Sequence, residues 1–297
     1  MIKQIYSLVL STITAVAGID MAKKFDARLR FHRSLNLSFP KTLADKVSYL
    51  ELHGENSLIV TCTDKYDVRE YITRKMGGGD SLLIPVVGGP WNSVEEIDFD
   101  KLPKSFVLKA THGCKMNYFV PDKQRLDIHQ CKREMNRWLN TTYGTYSMEP
   151  HYTRIPHRIY AEAYLQEMSM ITDYKIHCLN GVPQFILTVT NRIADGDKAM
   201  KATLDLFDLN WNPISGLRSS GSEVAGNGNI PKPANLDKMI EIAKTLSSDF
   251  KFVRVDLYDI NNKILFGELT FSPACCIFRV CQEFCVNRFN KQHRIAA

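Results

Sequence analysis

The sequence predicts an α+β protein, and two observations carry that reading. Up to about residue 104 apolar side chains recur mainly at helical spacing, whereas from residue 105 short aliphatic and aromatic runs alternate with turn-forming residues. The 297 residues suffice for one large domain or two modest ones with a full-sized core. Hydrophobic residues at 44% and charged residues at 24% match globular averages, which argues against a disordered chain, a fibrous repeat and a multi-span membrane protein. There is no internal repeat.

Residues 5–19 are mostly apolar, but Ser7, Ser11, Thr12 and Thr14 interrupt them and Asp20 closes them. The stretch is too short and too polar to cross a bilayer. Ala15-Val16-Ala17 offers a faint cleavage signal, and an amphipathic or interfacial helix fits better. The run Lys23, Lys24, Arg28, Arg30 and Arg33 reads as a solvated helix face or as a contact for anionic lipid. Asp64 precedes a helix with Val68, Tyr71 and Ile72 on one side, ended by Gly77-Gly78-Gly79. Residues 82–87 read as a short buried strand and 90–100 as a polar connection.

Residues 106–109 and 118–120 read as a hairpin around the polar loop 110–117. A helix is expected over 128–139, then strands over 158–164, 174–179 and 185–189, with a turn at Asn180-Gly181. Residues 218–234, rich in Gly, Ser, Asn and Pro, read as a mobile surface loop and a candidate lid over an acceptor. Leu236, Met239, Ile240, Ala243 and Leu246 mark one face of an amphipathic helix. Two last strands, 252–258 and 264–271, turn at Asn261-Asn262.

The net charge of +6 is spread along the chain and mixed with acids, so no nucleic-acid partner is expected; the balance suits an enzyme with anionic substrates. The eight cysteines contain no C-x-x-C pair, so reduced cytosolic thiols are expected. Cys275, Cys276, Cys281 and Cys285, with His293, crowd the tail at a spacing poor for tetrahedral zinc; packed or surface thiols are the better reading.

The last hairpin carries the chemistry. If its strands pair about a turn near residue 261, Asp256 and Glu268 approach on one face, and Arg254, two residues before Asp256, shares it. Two acids with an arginine suit Mg²⁺ and phosphate transfer, and suit equally a structural ion network. Lys109 ends a strand before the small loop containing His112, Gly113 and Cys114, whose amides can cradle a phosphate. There is no G-x-x-x-x-G-K-[ST] loop, no G-x-G-x-x-G fingerprint, no G-x-S-x-G elbow and no kinase H-R-D set.

Taken in order, Lys109, the small loop, residues 161–165, Asp173-Tyr174-Lys175, Arg254-Val255-Asp256 and Gly267-Glu268-Leu269-Thr270 resemble the ATP-grasp superfamily. The closer resemblance is to its teichuronopeptide-biosynthesis (TupA-like) branch, through segments 64–72, 97–113, 173–181, 250–258 and 267–273, and it covers roughly residues 35–274. It implies an ATP-grasp fold in which a mainly helical region (1–104) precedes a small lobe (105–165) and a large lobe with the metal site (166–297). ATP would lie between the lobes. By position, Lys109 and Lys175 would contact its phosphates beneath the loop 111–117 with His112 and Gly113. Glu162, Tyr164 and Leu165 would border adenine, and Asp173 the ribose. Asp256, Glu268 and Thr270 would hold Mg²⁺, Arg254 would steady the acyl phosphate, and Arg192 would meet phosphate or substrate. The branch departs from the wider superfamily at Thr270, where asparagine is usual, and this chain departs from both after Pro273.

The resemblance further implies a cytoplasmic ATP-dependent carboxylate–amine ligase of bacterial surface-polysaccharide assembly, working in solution or at the inner membrane face. It would join an amino acid to a sugar-linked carboxylate on a glycan acceptor, free or lipid-linked. Glycan phosphorylation or glycosyl transfer is the alternative; a glycosyltransferase would need a nucleotide-sugar site and a different fold. A nucleotide-binding protein with a decayed site is a third reading, opposed by intact Lys109, Lys175, Asp256 and Glu268.

Overall fold

A computed structural model describes residues 2–32, 34–54, 57–79, 81–144, 148–165, 171–191, 202–215 and 223–273. The chain begins with a helical hairpin, α1 (Ile2–Ala17) and α2 (Ile19–Phe31), turning at Gly18, whose φ of 85° suits a residue without a Cβ. In α3 (Leu43–His53) the Thr42 hydroxyl accepts from the Asp45 amide and the Asp45 carboxylate from the Thr42 amide, a reciprocal N-cap. The short helices α4 (Ser57–Thr63) and α5 (Val68–Lys75) follow.

Residues 82–85, expected as strand, are coil. Leu82 and Leu83 enter the core under the large sheet, and the Leu82 carbonyl accepts from the Phe266 amide of that sheet at 2.7 Å. Pairing within the small sheet starts at the Pro85 carbonyl, which accepts from the Ala163 amide at 2.9 Å.

The small sheet has the order β1-β4-β2-β3 and is antiparallel throughout, with β1 (Val86–Trp91), β2 (Phe106–Ala110), β3 (Asn117–Val120) and β4 (Ile159–Ala163). Its edge strand thus comes from before residue 105. Phe106, Leu108, Ile159 and Ala161 on one face meet Cys131, Met135 and Trp138 of α6 (Ile128–Leu139), the helix that the periodicity predicts. Alternation turns Val107, Lys109, Tyr160 and Glu162 to the other face.

The large sheet runs β10-β9-β5-β6-β7-β8, with β5 (Asp173–Leu179), β6 (Val182–Thr190), β7 (Ala202–Phe207), β8 (Glu223–Ala225), β9 (Phe252–Ile260) and β10 (Lys263–Thr270). Only β7 and β8 are parallel. Both Asn turns form as expected: Asn180 and Gly181 sit at φ 47° and 74°, Asn261 and Asn262 at 53° and 63°, the left-handed pairs that a two-residue hairpin requires. One face packs Tyr174, Ile176, Val253 and Val255 under α7 (Leu236–Ser247) and α5. On the other, Phe185, Leu187 and Val189 meet Ala27, Leu37 and Val47 of the helical region.

Two expectations are corrected here. Strand β7 had no counterpart in the sequence reading. The loop expected over 218–234 is, in its described part, β8 and a tether: the Asp205 carboxylate accepts from the Gly228 amide at 2.6 Å. From β8 at the sheet edge that part runs on to Asn235, whose side-chain amide donates to Asp259 of β9 at 3.2 Å. Residues 218–222 and the cysteine-rich tail fall outside the described residues.

The segment 64–75 joins the two sheets. Asp64 is 1% exposed; its carboxylate accepts from the Tyr66 and Asp67 amides at 2.7 and 3.0 Å and pairs with Arg158, next to β4, at 2.7 Å. Arg69 donates to the Ile84 carbonyl at 3.0 Å and lies 3.6 Å from Glu162. From the same helix, Tyr71 donates to the Leu246 carbonyl at the end of α7 (2.9 Å), and Lys75 pairs with Asp249 at 2.8 Å. Removing the Asp64 carboxylate strands two amides and part of the Arg158 charge. Asp64→Ala is therefore expected to lower unfolding free energy by about 2–4 kcal/mol in urea titration.

Candidate active site

The site begins with a register. From Lys263↔Ile260 to Phe266↔Leu257 strands β10 and β9 pair without interruption. A bulge at Gly267 then inserts one extra residue, so that Glu268 rather than Gly267 opposes Asp256, and Thr270 opposes Arg254. Because side chains alternate faces, that single residue decides whether the two acids share a surface. A Cβ at Gly267 would lie 3.1 Å from the Asp256 carbonyl oxygen and from the Tyr258 ring, so the bulge is a tight place for any larger residue.

On the far side of β9, Lys175 of β5 also opposes Asp256, and His177 opposes Arg254. Asp256, 1% exposed, is thereby enclosed by positive charge. Arg254 donates from Nε and from one terminal nitrogen to its two oxygens at 2.6 and 2.7 Å, and Lys175 pairs with the second oxygen. The same terminal nitrogen of Arg254 donates to Glu268 and to the Thr270 hydroxyl, both at 2.9 Å, and Thr270 donates to Glu268 at 2.7 Å. Lys175 reaches Asp173 at 3.2 Å. Glu268 is the one carboxylate of the group left partly open, its side chain 36% exposed. His177 is buried and stacked on Phe185; burial first, then the neighbouring Arg254, holds its imidazole neutral.

A second cluster occupies the small sheet. Lys109 pairs with Glu162, which also accepts from the Tyr160 hydroxyl at 3.1 Å. The loop between β2 and β3 is fixed at its base, where the Thr111 hydroxyl donates to the Pro156 carbonyl at 2.7 Å and Lys65 donates to the Gly113 carbonyl. Its tip carries the exposed Cys114, which lies in the field of the Glu268 carboxylate of the other sheet.

The structure therefore groups Asp173, Lys175, Arg254, Asp256, Glu268 and Thr270 on one sheet face and Lys109 with Glu162 on another. Tyr164 and Leu165 are half-buried just after β4, where the chain leaves one sheet for the other. Arg192 lies outside the described residues. The His112 side chain does not join either cluster. It is fully buried, donates from Nε2 to the Trp138 carbonyl at 2.9 Å and stacks on His157, a packing role for the side chain. Sequence reasoning missed Arg69, Arg158 and His177. The alternation from Lys175 to His177 could have shown the last, and the arginine within the helical motif 64–72 the first.

Two carboxylates and a hydroxyl across one strand pair are hard oxygen donors and suit Mg²⁺, which accepts one or two carboxylates and completes its shell with water and phosphate oxygens. Among the described residues no three His, Cys, Asp or Glu side chains converge, so a metal here would need those outside ligands. Lys109 and Lys175, one on each sheet, suit a polyphosphate that bridges the sheets.

The two clusters, one on each sheet, bring together residues through which the sequence resembles the ATP-grasp superfamily. A family model described as TupA-like ATPgrasp matches residues 45–283, and the chain belongs to that family; its fold is the ATP-grasp fold. Among solved structures it is similar to D-alanine–D-alanine ligase from Bacillus anthracis, at 15% identity over 71% of this chain and 57% of that one, with a TM-score of 0.40. It is similar also to D-alanine–D-alanine ligase from Helicobacter pylori (12% identity, 84% and 69%, TM-score 0.44) and to phosphoribosylamine–glycine ligase from Thermotoga maritima (14%, 74% and 52%, TM-score 0.42). The chain spans little more than half the length of the first and third of these. No curated protein matches it.

Burial pushes the His112 imidazole down to about 4, with His157 and Lys65 adding to the effect. The unfolded chain takes up this proton near pH 6.5 and the folded chain does not, so stability is lost as pH falls from 6.5 toward 4. His112→Gln should flatten that decline by about 1.4 kcal/mol per pH unit, read from denaturation midpoints between pH 6.5 and 5.

Proposed function

We propose that the chain is an ATP-dependent, ADP-forming carboxylate–amine ligase. The observation that carries the reading is the set Lys175, Arg254, Asp256 and Glu268 drawn onto one sheet face by the β5–β9–β10 register. A substrate carboxylate would attack the γ-phosphorus of ATP, releasing ADP and forming an acyl phosphate; an amine would then displace phosphate to give an amide. No protein nucleophile is needed. The work of the chain is to position and to neutralise charge. Lys109 and Lys175 bind phosphate oxygens. Arg254, anchored by Asp256, presents a fixed fork to the transferring group. Loop 111–117 covers the phosphates and excludes water. Asp256, Glu268 and Thr270 would hold Mg²⁺, which when bound offsets phosphate charge. Glu162, Tyr164 and Leu165 border the base, Asp173 the ribose, and Arg192 the phosphate or the substrate.

The substrates are proposed as an amino acid and a sugar-linked carboxylate of a bacterial surface polysaccharide, with glycan phosphorylation as the competing chemistry. Turnover with Mg·ATP, carboxylated glycans and amino acids should give ADP and an amide by mass. ADP with a phosphorylated sugar would replace the ligase by a kinase, and absence of ATP binding would overturn both. Because Glu268 is partly open, Glu268→Gln should reduce turnover at least about 100-fold, as losses of transition-state charge stabilisation do, without moving the thermal midpoint. Retained turnover would remove Glu268 from the metal site.

A cytoplasmic place at the inner membrane face is favoured by one further observation. Ile5, Leu8, Val9 and Val16 form an exposed row on α1, with Leu8 68% and Val16 83% exposed, and Met21, Phe25 and Leu29 form another on α2. Helix α1 carries no acid, and no helix among the described residues is long and apolar enough to cross a membrane. An apolar surface with Lys24 and Arg28 close by suits the interface of an anionic bilayer. Co-sedimentation with phosphatidylglycerol vesicles is expected, weakened at least tenfold by Leu8→Glu combined with Phe25→Glu. Equal sedimentation of the double variant would refute the contact.

A further inference from the structure

The three oxygens that suit a metal already converge on one atom of the chain. A single terminal nitrogen of Arg254 lies 2.7 Å from the second Asp256 oxygen and 2.9 Å from both the Glu268 carboxylate and the Thr270 hydroxyl. That nitrogen carries two hydrogens, so three acceptors compete for two donors. Hard oxygens gathered in excess of the hydrogens they can share suit a cation of higher charge. The register fixes the convergence, since Glu268 opposes Asp256 and Thr270 opposes Arg254 across β10 and β9. Lys175 adds a second positive group, paired with the same Asp256 oxygen and lying 3.2 Å from Asp173.

Both cations are buried, Arg254 at 9% and Lys175 at 5% exposed. Moving either one aside leaves a buried charge without its partner, which is strongly unfavourable unless a new partner takes it. A divalent cation arriving alone offers nothing to a displaced guanidinium or ammonium group. A polyphosphate arriving alone meets the carboxylates of Asp173, Asp256 and Glu268. Together the two satisfy both sets: Arg254 and Lys175 turn to phosphate oxygens, and the oxygens of Asp256, Glu268 and Thr270 are freed for the cation. The Nε bond from Arg254 to the first Asp256 oxygen stands outside this exchange. Lys109 provides the contrast, because its partner is Glu162 of the small sheet.

We propose that Arg254 and Lys175 are built-in counter-ions that hold the divalent-cation site closed until a polyphosphate draws them away. This regulation of the site rests on the ligase reading for its metal and its phosphates. Linkage then requires each ligand to raise the affinity of the other by the same factor. The test is Mn²⁺ binding to the full chain without nucleotide, read from loss of the free-ion electron paramagnetic resonance signal. Binding of inorganic tripolyphosphate is measured by calorimetry in parallel, and ADP formation separately. Arg254→Met should bind Mn²⁺ at least about tenfold more tightly than wild type yet bind tripolyphosphate at least about tenfold more weakly. A merely structural arginine would not give those opposite signs. Lys109→Met should weaken tripolyphosphate as well while changing Mn²⁺ affinity less than about twofold. If Arg254→Met leaves Mn²⁺ affinity unchanged or lowers it, or if Lys109→Met raises it equally, the counter-ion role is refuted. Should Arg254→Met not fold, Lys175→Met carries the same expectation. Should neither fold, wild type decides: Mn²⁺ binding without polyphosphate that Glu268→Gln abolishes overturns the role, and its absence upholds it. Refutation in a chain that forms ADP leaves the ligase reading standing. The expected signs in a chain that forms no ADP keep the counter-ions and remove the ligase.

Discussion

Asp256 is the group on which the site depends. A carboxylate almost wholly withdrawn from water is costly unless its charge is met, and here three hydrogen-bonding nitrogens meet it: two from Arg254 on its own strand and one from Lys175 on the next. Those contacts hold the two cations as firmly as the cations hold the acid. An arginine fixed in this way presents its remaining donor to Glu268 and Thr270 in one orientation, and that orientation gives the face its chemistry. An isolated lysine or arginine on the same surface would sample many rotamers and lose that precision to entropy.

The arrangement exists because of local irregularities in otherwise regular strands. The bulge at Gly267 rotates Glu268 onto the Asp256 side, and the left-handed asparagine pair at 261–262 fixes where the strands begin to pair. The apolar residues between the charged ones, Val253, Val255 and Leu257, bind the opposite face to α7 and α5. A one-residue slip would bury the acids in that core and expose the valines, which is why the core enforces the register of the site.

The segment 64–75 ties the two sheets together, beside the bond from Phe266 to Leu82 just ahead of β1. Its first turn is tied to Arg158 beside the small sheet, its middle to Glu162 through Arg69, and its end to the large sheet's helix through Tyr71 and Lys75. The same short stretch therefore helps to set the distance between Lys109 on one sheet and Lys175 on the other, with charge-assisted bonds on the small-sheet side and the apolar packing of Val68, Tyr71 and Ile72 on the large-sheet side. The loop 111–117 is held to this segment through Lys65 and Gly113, so the loop moves with it.

The sequence by itself determined the elements whose signals are local. The helix over 128–139, both asparagine turns, the β2–β3 hairpin and the acid-bearing last hairpin follow from periodicity and turn chemistry, and their charged residues could be named with them. Family motifs added the grouping of Lys109, Glu162, Lys175 and Asp256. Only the tertiary structure decided the rest. Residues 82–85 became coil because Leu82 is bonded to β10, far along the chain; β8 became an edge strand because β7 was there to pair with it; and the His112 side chain is buried because His157 and the Trp138 carbonyl offered it a place. Each of these turns on a partner distant in sequence, and nothing in a local pattern encodes which partner the folded chain will supply.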